Sequence, residues 1–145
     1  LFIAGRGRRR PAFSQQVRPL GAVRDLPAVY AAADIFLLPT LYDPFSNACL
    51  EALASGLPVI TTRTNGFSEI IDEGVHGSIV DPPWDLEQLR SALRFWSSPE
   101  RRLEARPLVL ERAGHFDIST NVERTLAILH QAAKAVSESG KIRKT

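Results

Sequence analysis

Four short apolar runs recur along the chain without polar alternation, at residues 1–4, 35–38, 59–61 and 79–80, each closed by a turn residue such as Gly5, Pro39 or Asp81. Unbroken runs of this length predict strands covered on both faces. A fifth run, residues 17–20 ahead of Gly21, is interrupted by Arg18 and Pro19. It predicts a strand whose proline lies at an end or an edge.

Between the runs the period changes to that of helices, over residues 26–33, 46–55, a short stretch 67–71, and 86–96, where Leu86, Leu89, Leu93 and Trp96 recur on one face. Alternating strand and helix predicts an α/β domain with a Rossmann-like, doubly wound parallel sheet and right-handed crossovers. After residue 84 only helices are expected. Ser98-Pro99-Glu100 marks the start of one, which Pro107 should break or bend. The last, over residues 121–137, carries Val122, Leu126, Leu129, Ala133 and Val136 as a stripe, with Thr120 and Glu123 in a capping-box pattern ahead of it. Residues 1–136 thus read as one domain and the polar residues 137–145 as a frayed tail.

Composition narrows the function classes. The chain has 145 residues, 44% hydrophobic and 23% charged, the balance of one globular domain with a core of its own. A net charge of +2 sets up no strong field toward nucleic acid. The basic cluster of Arg6, Arg8, Arg9 and Arg10 lacks interleaved aromatics and reads as solvated surface, so no nucleic-acid partner is expected. One cysteine, Cys49, leaves no disulfide framework and fits a reducing, cytoplasmic setting. His76, His115 and His130 share no ligand spacing, so no metal is expected, and they read as surface or capping residues. The chain contains no methionine and opens inside a strand pattern, which reads as a fragment of a longer protein.

In an open parallel sheet, ligands collect at the carboxyl ends of the strands. After the strand at 35–38 the chain runs Pro39-Thr40-Leu41-Tyr42-Asp43-Pro44-Phe45-Ser46-Asn47 into a helix, with Ser46 or Asn47 as N-cap. The amides of Asn47, Ala48 and Cys49 would face the crevice with the positive end of the helix dipole behind them, a place for phosphate. Glu51 is the single charge on an otherwise apolar helix, which reads as buried. Either it gains roughly 0.3–1 kcal/mol from the dipole and bonds a protein group, or it grips sugar hydroxyls beside the phosphate. Asp43 begins an Asp-Pro dipeptide that is equally a turn and a candidate ligand-binding acid. Asn65-Gly66, after the next strand, is either a plain turn or a positive-φ approach of backbone to ligand. Gly5-Arg6-Gly7 begins like a dinucleotide fingerprint, but Arg10 stands where the third glycine belongs.

From Asp34 through Asp43, Glu51 and Pro58-Val59-Ile60 to Asn65-Gly66-Phe67-Ser68-Glu69-Ile70, the chain resembles the C-terminal half of retaining nucleotide-sugar glycosyltransferases of family 4, with the GT-B architecture. Two acids separated by seven residues are the hallmark. The resemblance implies that Glu51 holds the ribose hydroxyls of the donor and that Asp43, the catalytic-site acid, contacts hydroxyls of the transferred sugar. It implies that Phe45, Ser46, Asn47, Ala48 and Cys49 face sugar and diphosphate, with Gly66 in the neighbouring loop and Gly21 near the base. No cofactor or metal is implied; the nucleoside-diphosphate sugar is the donor substrate. Three departures stand out: Asp43 for the usual glutamate, Ser46 for a glycine, and Asn65-Gly66 for Gly-Gly. The family's diphosphate-gripping basic pair and its acceptor domain lie upstream of Leu1, so this piece alone is expected to be inactive. The acceptor, a glycan or glycolipid of the cell envelope, would be met through that upstream domain. Peripheral membrane association of the full-length enzyme and self-association of the fragment through its last helix are further expectations. A nucleotide-sugar epimerase of the same architecture, or a nonenzymatic nucleotide-binding module, are the competing readings.

Overall fold

The computed structural model describes residues 1–6 and 15–142, with side chains as far as Val136. Arg8 to Arg10, and with them the failed fingerprint, lie outside the described residues. Five strands form where apolar runs were expected: β1 (Phe2–Ala4), β2 (Arg18–Gly21), β3 (Phe36–Leu38), β4 (Val59–Thr62) and β5 (Gly77–Val80). They make two parallel sheets rather than one, β1–β2 and β3–β4–β5. Pro19 is paired with Ile3 inside β2. It is tolerated there because a strand paired along one side needs only part of its amides.

The core belongs to the three-stranded sheet. All four residues of β4 are buried, and around them close Cys49, Ala52, Leu53, Phe67, Trp96 and Val109 from the surrounding helices. The strands of β1–β2, in contrast, are exposed along their length.

Helix α1 (Leu26–Ala31) starts at Asp25, whose carboxylate accepts from the Ala28 amide at 3.1 Å. Helix α2 (Asn47–Ala54) starts at Ser46. The stretch expected as a short helix after β4 is a 3-10 helix, Gly66–Ile70, capped by Asn65. Helix α3 (Leu86–Trp96) is capped by Asp85, and its Trp96 indole N–H donates to the buried Ser78 hydroxyl of β5 at 3.0 Å.

In the helical tail, neither a break at Pro107 nor the expected bounds of the last helix are found. Pro107 lies inside helix α4 (Pro99–Gly114), which runs on through it; Ala105 and Val109 on either side are buried, and packing against α2 and α3 outweighs one lost amide. Helix α5 (Ile118–Ile142) begins three residues earlier than expected and continues through most of the segment read as a tail. Asp117, not Thr120, starts it, taking the Thr120 amide at 3.0 Å and its hydroxyl at 2.6 Å. Those two bonds hold the Asp117 carboxyl down to about 2. Val122, Leu126, Leu129 and Val136 are exposed, so the apolar stripe of this helix is left largely uncovered by its own chain. No helix among the described residues is long and apolar enough to cross a membrane.

Candidate functional site

In a parallel sheet every strand delivers its following loop to the same edge. At that edge of β3–β4–β5, the loops after β3 and β4 are laced together by polar groups. The Thr40 carbonyl accepts from the hydroxyls of Thr62 at 2.6 Å and Thr64 at 3.0 Å. The Asp43 amide donates to the Thr64 carbonyl at 3.2 Å, and the Gly66 amide donates to the Asp43 carbonyl at 2.9 Å. Buried Asn65 joins three elements: its amide group donates to Thr61 Oγ1 at 3.0 Å and to Cys49 Sγ at 3.6 Å, and its Oδ1 accepts from the Phe67 amide at 3.1 Å.

Gly66 is required here for a reason the sequence reading did not give. Its φ is not positive. A Cβ on it would stand 2.1 Å from the Pro44 carbonyl oxygen, so glycine lets the two loops touch.

The lacing delivers Asp43 to the mouth of α2. One Asp43 carboxylate oxygen accepts from the Phe45 amide at 3.1 Å, and Phe45 folds its ring edge-on against buried Phe67, with centroids 5.9 Å apart. Asp43 is therefore a turn-former as well as a candidate ligand-binding acid, with its second oxygen uncommitted in the described contacts. Ser46 is the N-cap, its hydroxyl accepting from the Cys49 amide at 3.4 Å. Of the backbone groups assigned to a ligand, those of Phe45 and Cys49 are already engaged within the protein. Asn47 and Ala48, the first two helical residues, have no helical carbonyl to bond, and their amides carry the anion-attracting end of α2.

Cys49 itself is buried, and burial pushes its thiol up. It belongs to the packing of the helix rather than to its mouth.

The helix is not buried all round. Cys49, Ala52 and Leu53 face the core while Asn47, Glu51 and Ala54 are exposed. Glu51 thus escapes the desolvation cost anticipated for it. It lies four residues into α2, about 6 Å along the axis from the free amides, and it opens onto a groove of about 430 Å³ between α2 and the α4–α5 corner, lined also by Leu50, Leu110 and Phe116. Its Oε2 accepts from the Tyr30 hydroxyl at 3.0 Å. Tyr30 was not singled out in the sequence. A tyrosine on the apolar face of a short helix, needing a partner for its hydroxyl once buried, was the available signal.

Gly21 is set apart from this cluster. It ends β2 with φ +67°, and its carbonyl accepts from the Gly5 amide at 2.8 Å, which ties the ends of β1 and β2 to each other. His76 is not a surface residue: it is buried in the turn before β5, and its Nδ1 accepts from the Asp72 amide at 3.0 Å. His115, at the end of α4, and His130 are exposed. Among the described residues, no three His, Cys, Asp or Glu side chains gather as a metal site.

Comparison with known proteins places this arrangement in context. Residues 1–97 match the profile of the family described as "Glycosyl transferases group 1". The lipopolysaccharide glucosyltransferase WaaG of Escherichia coli is 36% identical over 94 residues, which are 63% of this chain and 24% of WaaG. The D-inositol 3-phosphate glycosyltransferase of Saccharomonospora viridis is 34% identical over 113 residues, 77% of this chain and 26% of that protein. The chain therefore spans about a quarter of the length of these relatives. A crystal structure of WaaG superposes with a TM-score of 0.73 at 24% identity, covering 88% of this chain and 37% of the other. Anabaena Alr3699/HepE in complex with UDP-glucose superposes with a TM-score of 0.59 at 22% identity, covering 86% and 33%. These structures share the fold: a mixed α/β domain with parallel strands, the C-terminal domain of GT-B glycosyltransferases.

Proposed function

Because this chain belongs to the group 1 glycosyl transferases, we propose that it is the donor-binding domain of an enzyme that moves a sugar from a nucleoside diphosphate to an acceptor with retention of configuration. The observation that carries the reading is the laced pair of loops that sets Asp43 beside the free amides of Asn47 and Ala48, with Glu51 on the same helix. The binding of UDP-glucose by HepE, a protein of the same fold, supports a nucleotide sugar as donor.

In this reading the diphosphate rests on the N-terminus of α2. The amides and the helix dipole favour the negative charge that grows on the leaving diphosphate as the sugar bond breaks, and being preorganised they need no rearrangement to do so. The uncommitted oxygen of Asp43 accepts from a hydroxyl of the transferred sugar, orienting it. Glu51, about one helical turn along, accepts from the ribose hydroxyls. Ser46 acts through its cap on the helix mouth, and Gly66 through the loop contact that holds Asp43. Gly21 stands nearer the base. No metal takes part in this scheme, and transfer measured in excess EDTA tests that point. The acceptor, a glycan or glycolipid of the cell envelope as in lipopolysaccharide synthesis by WaaG, is bound by a part of the protein outside this chain. That part also carries the basic groups for the diphosphate, and any contact with the membrane surface.

The test is Glu51→Gln in the full-length natural chain. Loss of the charged acceptor lowers transfer by about ten- to a hundredfold, the worth of a hydrogen bond to a charged group, through a raised donor KM. The melting temperature stays level, because Glu51 is exposed. An unchanged donor KM with a sharply lowered melting temperature would overturn the reading. Sugar loss that proceeds without any acceptor would favour an epimerase.

A further inference from the structure

The bond that satisfies the buried Tyr30 hydroxyl also fixes a carboxylate on the neighbouring helix. The ring is buried in α1, stacked edge-to-face on Phe36 of β3 with centroids 5.8 Å apart, so it has little freedom to turn. Its hydroxyl meets two consecutive turns of α2, the Ala48 carbonyl at 3.5 Å and Glu51 Oε2 at 3.0 Å. The phenol is also firmly a donor. Burial first, and then the neighbouring Glu51 carboxylate, push it up to about 12, so the proton stays on Tyr30 throughout the physiological range.

Glu51 itself is exposed and has no need of a protein partner, since water would serve its carboxylate equally well. Left to solvent, its three side-chain torsions would sample many rotamers, and a ligand would have to freeze them on binding. The rigid phenol removes that freedom in advance. It occupies Oε2 and leaves Oε1 uncommitted in the described contacts, on a side chain that lines the groove of about 430 Å³. The other carboxylate at that groove, Asp117, is committed to the Thr120 amide and hydroxyl. A carboxylate held in one orientation suits a pair of neighbouring hydroxyls, which both donate and must be met at fixed angles.

We infer that Tyr30 is a positioning residue which locks the Glu51 carboxylate for a vicinal diol, and that this lock is what makes the domain prefer ribonucleotides to deoxyribonucleotides. The inference rests on the proposed function, in which Glu51 meets the ribose. It adds a residue 21 positions away in sequence and a discrimination that this residue controls.

The experiment compares binding of UDP, GDP and ADP with that of their 2′-deoxy counterparts, by calorimetry on the full-length natural chain, in wild type, Tyr30→Phe, Glu51→Gln and the double variant. Wild type prefers the ribonucleotide by about ten- to a hundredfold. Tyr30→Phe keeps the buried ring and compresses that ratio by about three- to tenfold, because the ligand must now order Glu51 itself. Affinity for the deoxy compound changes less, and the double variant is no worse than Glu51→Gln alone. A ratio that Glu51→Gln compresses and Tyr30→Phe leaves intact overturns the positioning role while sparing the proposed function. A ratio that neither variant moves defeats the ribose assignment, and the inference with it. A second measurement needs no variant: the Tyr30 Cζ carbon resonance in wild type should shift when ribonucleotide engages Glu51, and less with the deoxy compound. Equal shifts, or none, count against the lock whatever the stability of Tyr30→Phe.

Discussion

The β1–β2 pair and the β3–β4–β5 sheet come from the same kind of sequence and end in opposite surroundings. Leu1, just ahead of β1, and Phe2 and Ile3 within it are 67, 55 and 38% exposed, while every residue of β4 is buried. Yet Leu1-Phe2-Ile3-Ala4 and Val59-Ile60-Thr61-Thr62 are equally unbroken apolar or β-branched runs. What separates them is what the rest of the chain brings to their faces. Helices α2 and α3 and the 3-10 helix make repeated contacts with β4, whereas the contacts of β1 are chiefly with β2. A continuous apolar run therefore specifies a strand that needs covering, and the covering itself is a property of the assembled layers. The site follows the same division. Asp43, the α2 amides and Gly66 are held by a sheet with a complete core, and Gly21 rides on the pair that has none.

The sharpest test of this contrast sets two glycines against each other. Gly66→Ala drives a Cβ into the Pro44 carbonyl, and thermal denaturation should show a loss of about 4 kcal/mol or more, or no cooperative fold at all. Gly21→Ala meets nothing within 4 Å and has only its positive φ to contend with. It should cost about 1–2 kcal/mol. Equal losses would mean that the loops at the site tolerate separation.

Next in size are two isoleucines at comparable strand positions. Ile60→Ala, in the buried β4, is expected to cost about 2–5 kcal/mol in denaturant unfolding. Ile3→Ala, in β1, should cost about 1 kcal/mol or less, because much of its surface already meets water. An Ile3 loss matching that of Ile60 would show that β1 is covered in solution by something the chain itself does not supply.

The smallest effect concerns pH. His76, in the turn before β5, is held below its ordinary value of 6.5 chiefly by burial, with Arg112 acting in the same direction and Asp72 and Glu111 opposing. Its neutral Nδ1 is the acceptor for the Asp72 amide. A depressed histidine is neutral in both folded and unfolded states above pH 6.5, so its contribution is intact there. It is lost as pH falls below 6.5 toward the lower folded value, where the unfolded chain takes up the proton more readily. Hydrogen exchange of the β5 amides should therefore accelerate between neutral and mildly acidic pH, and the exchange of β1–β2 should lack that component. A β5 response that survives His76→Gln would break the assignment.

How much of this was legible beforehand depends on sequence distance. The order of strands and helices, a cap at Ser46 or Asn47 and the placing of Asp43 and Asn47 at a strand-to-helix turn follow from periodicity and capping chemistry within about ten residues, and the structure has them there, with Ser46 as the cap. Pro107 does not end its helix because tertiary contacts with α2 and α3 override a local breaker. Asp117 was missed as the start of α5 because the Thr120–Glu123 pattern three residues later mimics a cap equally well.

The sequence by itself determined the elements and the chemistry available at their ends: apolar runs of strand length, helices with oxygen-bearing caps, two acids flanking a helix mouth. Their periods and hydrogen-bonding groups act over a turn or a strand, and so they are written locally. The tertiary structure alone decided that the strands part into two sheets, that Gly66 is needed to let two loops touch, that Glu51 stands in water rather than in the core, and that Tyr30 reaches it. Each of these depends on groups brought together from distant parts of the chain, where distance and burial are set by how the layers pack and not by the order of residues.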